Sequence, residues 1–234
     1  MITDAKSMTV RLTDDRKANL RECGINALKE RKLMISDLAK AVVKIVVSFL
    51  TVKYGPLHDR HLEETNKAAL QKARSHYNSP ACLSPHARGE LHWWADNVDT
   101  AHNDITPTDL AITVASDASL SGWGCVCGGD SSGGLWMPVE ARFHISYLEL
   151  KAAFFVLKCF KTKIAHKHVH LLLDETTAVA CINNMGTSHS DSCNDITFCI
   201  WQWCQARHIW LSAAYIPRKS ETELTASILK KEVA

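Results

Sequence analysis

A change of period near residue 111 limits the fold more than any other feature of the chain. Upstream, apolar residues recur every three or four positions; downstream, short alternating segments are separated by glycine and serine. In "ITVASDASLSGWGCVC" (112–127), Ile112, Val114 and Ser116 alternate with Thr113, Ala115 and Asp117. The spacing predicts strands over 112–118, 122–128 and 133–139, joined by "SLSG" and "GGDSSGG", connections that suit antiparallel hairpins. A helix over "HISYLELKAAFFVLKCF" follows, then a strand in "KHVHLLL" in which Leu171 to Leu173 are expected to be fully buried. Next come a helix stopped at Gly186, a helix over "SCNDITFCIWQWCQARH", a strand in "IWLSAAYI" ended by Pro217, and a last helix in "SETELTASILKKEVA". The order β-β-β-α-β-α-α-β-α implies a mixed α/β fold: a five-stranded mixed sheet with helices on both faces.

Residues 1–110 read as mainly helical. "DDRKANLRECGINALKERK" (14–32) is amphipathic, although Gly24 weakens it. In "SDLAKAVVKIVVSFLTVK", Ser36 is the expected N-cap, and Leu38, Val42, Ile45 and Phe49 share a face. Gly55 and Pro56 punctuate the chain before another helix. In "LSPHARGELHWWADNV", Ser84 is a cap and Pro85 occupies the first helical position, with Ala87, Leu91, Trp94 and Val98 as the apolar stripe. The polar stretch 96–109 is the expected linker, which divides the chain into 1–110 and 111–234.

Hydrophobic residues make up 46% of the chain, enough for a buried core, and the formal net charge is only +2. A polyanion would therefore have to be held by local patches, not by a global field. None of the nine cysteines forms a C-x-x-C pair, which argues against structural zinc and for reduced thiols in a cytoplasmic or nuclear protein. The opening "MITDAKSMTV" lacks a signal peptide's apolar segment. The apolar run Ala41 to Val52 is broken by Lys44 and falls short of the roughly 20 residues that span a bilayer, so no membrane partner is expected.

Three carboxylates carry the candidate chemistry. Glu149 forms S-x-x-E with Ser146, the pattern of a capping box. It also starts the stripe Glu149, Ala153, Val156, Phe160, where a carboxylate is costly to bury unless something neutralises it. Asp174 ends "HVHLLLD", either as the N-cap of a helix starting at Glu175 or as a ligand at the carboxyl end of a buried strand. Asp117 ends the first strand. If the last strand lies parallel beside the first, the three can converge. Like charges at one point need cations, and oxygen-only ligands select Mg²⁺ or Mn²⁺ over zinc.

These residues sit in "SDASLSGWG" (116–124), "HISYLELKA" (144–152), "LLLDETTAVACINNMG" (171–186) and "IWLSAAYIPRKSE" (209–221). In these blocks the C-terminal half resembles the RNase H domain of retroelement reverse transcriptases, the DIRS-type group in particular. "DLAKAVVKIVVSFLTVKYGPLHDRHLE" (37–63) and "LSPHARGELHWW" (83–94) resemble the thumb and connection region that precedes it. The resemblance implies a ribonuclease acting on RNA–DNA hybrids through two Mg²⁺ or Mn²⁺ ions on an Asp-Glu-Asp-Asp site. Asp117, Glu149 and Asp174 match its first three members, with Asp117 expected to bridge both ions. The tail departs: Arg218 stands for a glycine, Glu221 for an asparagine, and Thr225 for the fourth aspartate, where it cannot supply a charged ligand. Glu175 replaces an asparagine. No Y-x-D-D motif occurs, so no polymerase activity is expected, and the polymerase part of a longer polyprotein is a candidate partner. The departures leave a second expectation, a decayed or co-opted remnant that binds nucleic acid without cleaving it.

A hybrid is read by shape, phosphates and 2′-hydroxyls. Ser119 and Ser121 near Asp117, and Asn183, Asn184, Thr187 and Ser188 at the end of the next helix, are candidate contacts, although ordinary turn composition is the readier explanation for them. Lys158, Lys161, Lys163 and Lys167 with His166, His168 and His170 form a basic cluster, either a phosphate handle or a solvated helix end. Trp93, Trp94, Trp201, Trp203 and Trp210 are expected mostly as core anchors.

Overall fold

The computed structural model describes residues 1–30, 32–105, 110–187 and 189–217. The helix expected in "SETELTASILKKEVA", and with it Glu221, Glu223 and Thr225, lies outside them, as do Arg218 and Ser188. The chain divides into two compact units, Met1–Pro107 and Thr108–Ala234.

The first unit opens with β1 (Ile2–Asp4) and β2 (Thr9–Arg11), continues through α1 (Asp14–Lys29), α2 (Ile35–Val46), α3 (Arg60–Lys72) and α4 (Pro85–Asn97), and ends in β3 (Asn103–Asp104). The three strands pair antiparallel in the order β1-β2-β3, a small sheet absent from the helical expectation. Residues 103–104 therefore belong to the unit, and the expected linker is not one polar connection. At three residues or fewer, these strands are too short to show a period of two. α2 starts at Ile35, not after Ser36, and stops at Val46. Its predicted face is nevertheless buried, with Leu38 and Ile45 exposed by 1% or less. α4 begins as expected: the Ala87 N–H donates to Ser84 Oγ at 3.1 Å.

Two carboxyls lie inside this unit. Glu90 reaches from α4 to the start of α3, where its oxygens accept the N–H groups of His61 and Leu62 at 3.1 and 2.8 Å. It thereby satisfies helix donors that Asp59, at the cap position, leaves alone. Burial pushes the Glu90 carboxyl up to about 8, and the neighbouring Asp59 charge adds to the rise. Burial also lifts Asp59 from 3.8 to about 7, with Arg60 opposing. An acid whose folded pKa is raised holds its proton more tightly in the native state. Stability is therefore greatest below the unfolded value and falls as pH rises toward the folded value. Stability should decline between about pH 4 and pH 8. Asp59→Asn should raise the melting temperature at pH 8, by about 1–3 kcal/mol of stability, and change it little at pH 4. Calorimetric melts at the two pH values check this.

The second unit holds β4 (Leu110–Ala118), β5 (Gly122–Cys127), β6 (Asp130–Leu135), α5 (Ile145–Cys159), α6 (Lys161–Ile164), β7 (His168–Leu173), α7 (Thr176–Asn183), α8 (Asp191–Gln205) and β8 (Trp210–Tyr215). The sheet order is β6-β5-β4-β7-β8. β4, β5 and β6 form an antiparallel meander; β4, β7 and β8 are parallel. This is a mixed five-stranded sheet, as the order of elements implied. The strand beside β4 is β7, however, not the last strand. β8 is one place further out, so convergence of the acids depends on β7.

β6 occupies 130–135, not 133–139. The turn before it is Gly128-Gly129, both with positive φ, where only glycine is unstrained. The rest of "GGDSSGG" is a polar strand. Gly122 is needed for a different reason: a Cβ there would lie 2.5 Å from the Gly134 carbonyl oxygen on β6. β7 alternates instead of being buried throughout: Val169, Leu171 and Leu173 are fully buried, whereas His168, His170 and Leu172 are half-buried. α5 packs on β4, and α5, α7 and α8 contact one another. Leu148, Leu150, Val156 and Leu157 of α5 are completely buried. At about 1.5–3 kcal/mol each, they more than offset the several kcal/mol that a buried carboxylate costs on the same helix.

Candidate metal centre

The β4–β7 register explains how two acids 57 positions apart meet. Ala115 pairs with Leu172, and two residues further along each parallel strand stand Asp117 and Asp174. α5 crosses this end of the sheet and carries Glu149, which is only 1% exposed. One carboxylate oxygen from each of Asp117, Glu149 and Asp174 lies within 4.8 Å of the other two. Among the described residues, this is the one group of three or more His, Cys, Asp or Glu side chains so arranged.

Neither acid makes the capping contact that its sequence context suggested. The cap of α5 is His144, whose Nδ1 accepts the Ser146 N–H at 3.3 Å and lies 3.2 Å from Ser146 Oγ. Glu149 is thus not in a capping box; its Oε1 accepts the Ala118 N–H at 3.1 Å, which ties α5 to the end of β4. The cap of α7 is Glu175, whose Oε2 accepts the Ala178 N–H at 2.6 Å. Asp174 stands one residue before that cap, with its carboxyl beside Glu149.

The electrostatics follow from this geometry. Burial is the main cause that pushes the Glu149 carboxyl from 4.5 up to about 9. The Asp174 charge, a hydrogen bond to the Asp174 carboxyl and the Asp117 charge add to it, and only the Ala118 N–H opposes them. The second oxygen, Oε2, is buried and meets no N–H or hydroxyl donor. Its neighbour is another carboxyl, so the pair can hold either a shared proton or a cation. A hard divalent cation fits this all-oxygen donor set.

The other expected site residues divide. Ser119 and Ser121 are exposed beside Asp117, their hydroxyls 3.0 Å apart, and Ser119 Oγ accepts the N–H groups of Ser121 and Gly122. Asn183 is committed elsewhere: its amide donates to the Ala213 carbonyl and accepts the Ala213 N–H, each at 2.8 Å. That bidentate contact locks α7 to β8, while Asn183 stays exposed at the end of the helix. Asn184 follows α7 as its C-terminal cap residue. Thr187 gives its N–H to Asn194 Oδ1 at 3.4 Å. The basic cluster is partly consumed: Lys163 pairs with Asp130, and His168 Nε2 and His170 Nδ1 each lie 2.9 Å from Ser212 Oγ. Trp94 and Trp201 are core anchors, donating to the carbonyls of His58 and Ile182. Sequence reasoning missed His144, Glu175 and the Ala118 N–H. The first two could have been found by asking which acceptors compete for each helix start; a backbone donor leaves no such trace.

No family model matches the sequence, and no curated protein does. Among solved structures, the chain is similar to RNase H1 from the halophilic archaeon Halobacterium salinarum NRC-1, with 14% identity, 47% of this chain and 87% of that one covered, and a TM-score of 0.39. It is also similar to the foamy viral protease-reverse transcriptase in complex with RNA/DNA hybrid, with 9% identity, 87% and 27% covered, and a TM-score of 0.32. The native Prototype Foamy Virus Protease-Reverse Transcriptase gives 9%, 93% and 27%, and 0.33. The chain thus spans 27% of the length of each of these two viral chains. At this level of similarity the strand order, not these likenesses, defines the fold.

Because Glu149 is raised, its stability contribution has the same sign as that of Asp59: stability is lost as pH rises from about 4.5 toward about 9. Glu149→Gln retains an acceptor for the Ala118 N–H and removes the charge. It should stabilise the protein at pH 8 by about 2–4 kcal/mol and leave it nearly unchanged at pH 4.5, as read by urea unfolding in metal-free buffer.

Proposed function

We propose that the C-terminal unit is an RNase H-type nuclease domain of a retrotransposon reverse transcriptase, DIRS-type in its motifs, that hydrolyses the RNA strand of RNA–DNA hybrids. The carrying observation is the meeting of Asp117, Glu149 and Asp174 within 4.8 Å, with the innermost carboxyl pushed up to about 9 by burial and by its two neighbours. A carboxyl so raised keeps its proton at neutral pH unless a divalent cation replaces it.

In this reading Asp117, Glu149 and Asp174 hold Mg²⁺ or Mn²⁺, two ions by the pattern of the motif. When bound, the ions supply an activated water and charge stabilisation for the leaving 3′-oxygen. The residues themselves supply position. Glu149 is fixed by the packing of α5 and by the Ala118 N–H, so its carboxylate does not reorganise during the reaction. Asp117 and Asp174 are partly exposed at the strand ends and form the open side toward a bound backbone. Ser119 and Ser121 next to Asp117 are placed to meet sugar or phosphate oxygens. Residues 1–110 serve as the thumb and connection region that leads into the nuclease, and the polymerase part of a longer polyprotein is the partner in this arrangement. No helix among the described residues is long and apolar enough to cross a membrane. A cytoplasmic or nuclear site of action suits a protein acting on reverse-transcription intermediates.

One observation favours a second reading. Thr225 stands where the motif has its fourth aspartate, which fits a domain that binds hybrids but has lost cleavage. The two readings separate on a labelled RNA–DNA duplex in Mg²⁺ or Mn²⁺. The nuclease reading expects cleavage of the RNA strand to 5′-phosphate and 3′-hydroxyl ends. Asp117→Asn should then lose ~100-fold or more, because a metal site contributes several kcal/mol of transition-state charge stabilisation. A folded wild type that binds the hybrid without cutting it, and gains cutting in Thr225→Asp, supports the decayed module instead.

A further inference from the structure

The caps of α5 and α7 are supplied by residues next to the sequence features that carry the candidate ligands. At α7, Asp174 is the better capping residue by type: aspartate is among the strongest N-cap formers, and its short side chain reaches the N2 or N3 amide readily. Capping by Asp174 would start the helix at Glu175. Instead α7 starts at Thr176, and the longer Glu175 side chain folds back to accept the Ala178 N–H at 2.6 Å. Asp174, one residue earlier, keeps its carboxyl in the cluster with Asp117 and Glu149. At α5, His144 likewise takes the cap contact that Ser146 and Glu149 would make as a capping box, and Glu149 reaches Ala118. In both places a competing acceptor removes the acid's alternative partner.

We propose that Glu175 is a positioning residue: by capping α7 it prevents Asp174 from doing so, and so keeps the Asp174 carboxylate presented to the divalent cation. The inference rests on the metal-site reading above. It gives a role to a glutamate standing where the related motif has asparagine. Glu175 touches no ion and acts only through its hydrogen bond to the Ala178 N–H. When that acceptor is lost, the helix start slides back by one residue, Asp174 swings to the Thr177 N–H as the new cap, and the cluster loses an oxygen ligand.

The test uses Mn²⁺ as the probe on the full chain, with affinity read by titration calorimetry and cap position by amide hydrogen exchange of the metal-free protein. Glu175→Ala should weaken Mn²⁺ binding about tenfold, the lower end of the effect of outer-shell partners on metal affinity. Amide protection should move from Ala178 to Thr177. Glu175→Gln keeps an acceptor oxygen without the charge and should restore wild-type affinity. Ala180→Gly weakens the same helix on its exposed face and should leave affinity within twofold of wild type. Unchanged Mn²⁺ affinity in Glu175→Ala overturns the proposal. So does equal weakening in Glu175→Gln, which would make the charge responsible, or in Ala180→Gly, which would make helix stability responsible. Wild-type protein that binds no Mn²⁺ overturns the metal-site reading itself, and the unchanged exchange pattern at Ala178 would then show the cap to be structural only.

Discussion

The site depends on a hydrogen bond from the Ala118 amide to Glu149. It anchors a carboxylate that is 1% exposed to the last residue of β4, and so fixes α5 relative to the strand that carries Asp117. A backbone N–H supplies only partial charge. It orients the carboxylate but does not neutralise it, which is why burial and the flanking acids still push Glu149 up to about 9. The surrounding core, with Leu148, Leu150, Val156 and Leu157 on the same helix, makes this unfavourable placement possible. The protein accepts a local instability at one end of its sheet, the pattern expected of a functional site and not of a stabilising contact.

The parallel pairing of β4 with β7 is the second constraint. It sets Asp117 and Asp174 at the same level, because the register carries Ala115 opposite Leu172 and both acids lie two residues on. A slip by one residue would turn one acid to the other face. Alternating burial along β7, with Val169, Leu171 and Leu173 inside, protects that register. The bidentate contact of Asn183 with Ala213 holds α7 against β8 from the other side. A residue expected as a nucleic-acid contact thus also ties helix to sheet.

Much of this was legible in the sequence, and what was not has identifiable causes. The three acids and their order could be read because each ends a strand or heads a helix. Their partners could not, because Asp174 and Glu175, or Ser146 and His144, stand within reach of the same helix donors, and periodicity alone does not say which of them caps. β6 was misplaced because "DSSGGL" has no apolar alternation; the two positive-φ glycines at 128 and 129 mark the turn only once the backbone is seen. The β1–β3 sheet is too short to leave a periodic trace. Glu90, which satisfies the start of α3 from another helix, is a long-range contact that no local pattern encodes.

Crystals of the full chain soaked in Mn²⁺ and recorded for anomalous scattering test the central claim most directly. The account predicts anomalous density coordinated by carboxylate oxygens of Asp117, Glu149 and Asp174 at about 2.0–2.3 Å. Carboxyls that diverge at the end of the sheet, or manganese bound elsewhere with none between these three side chains, would contradict it.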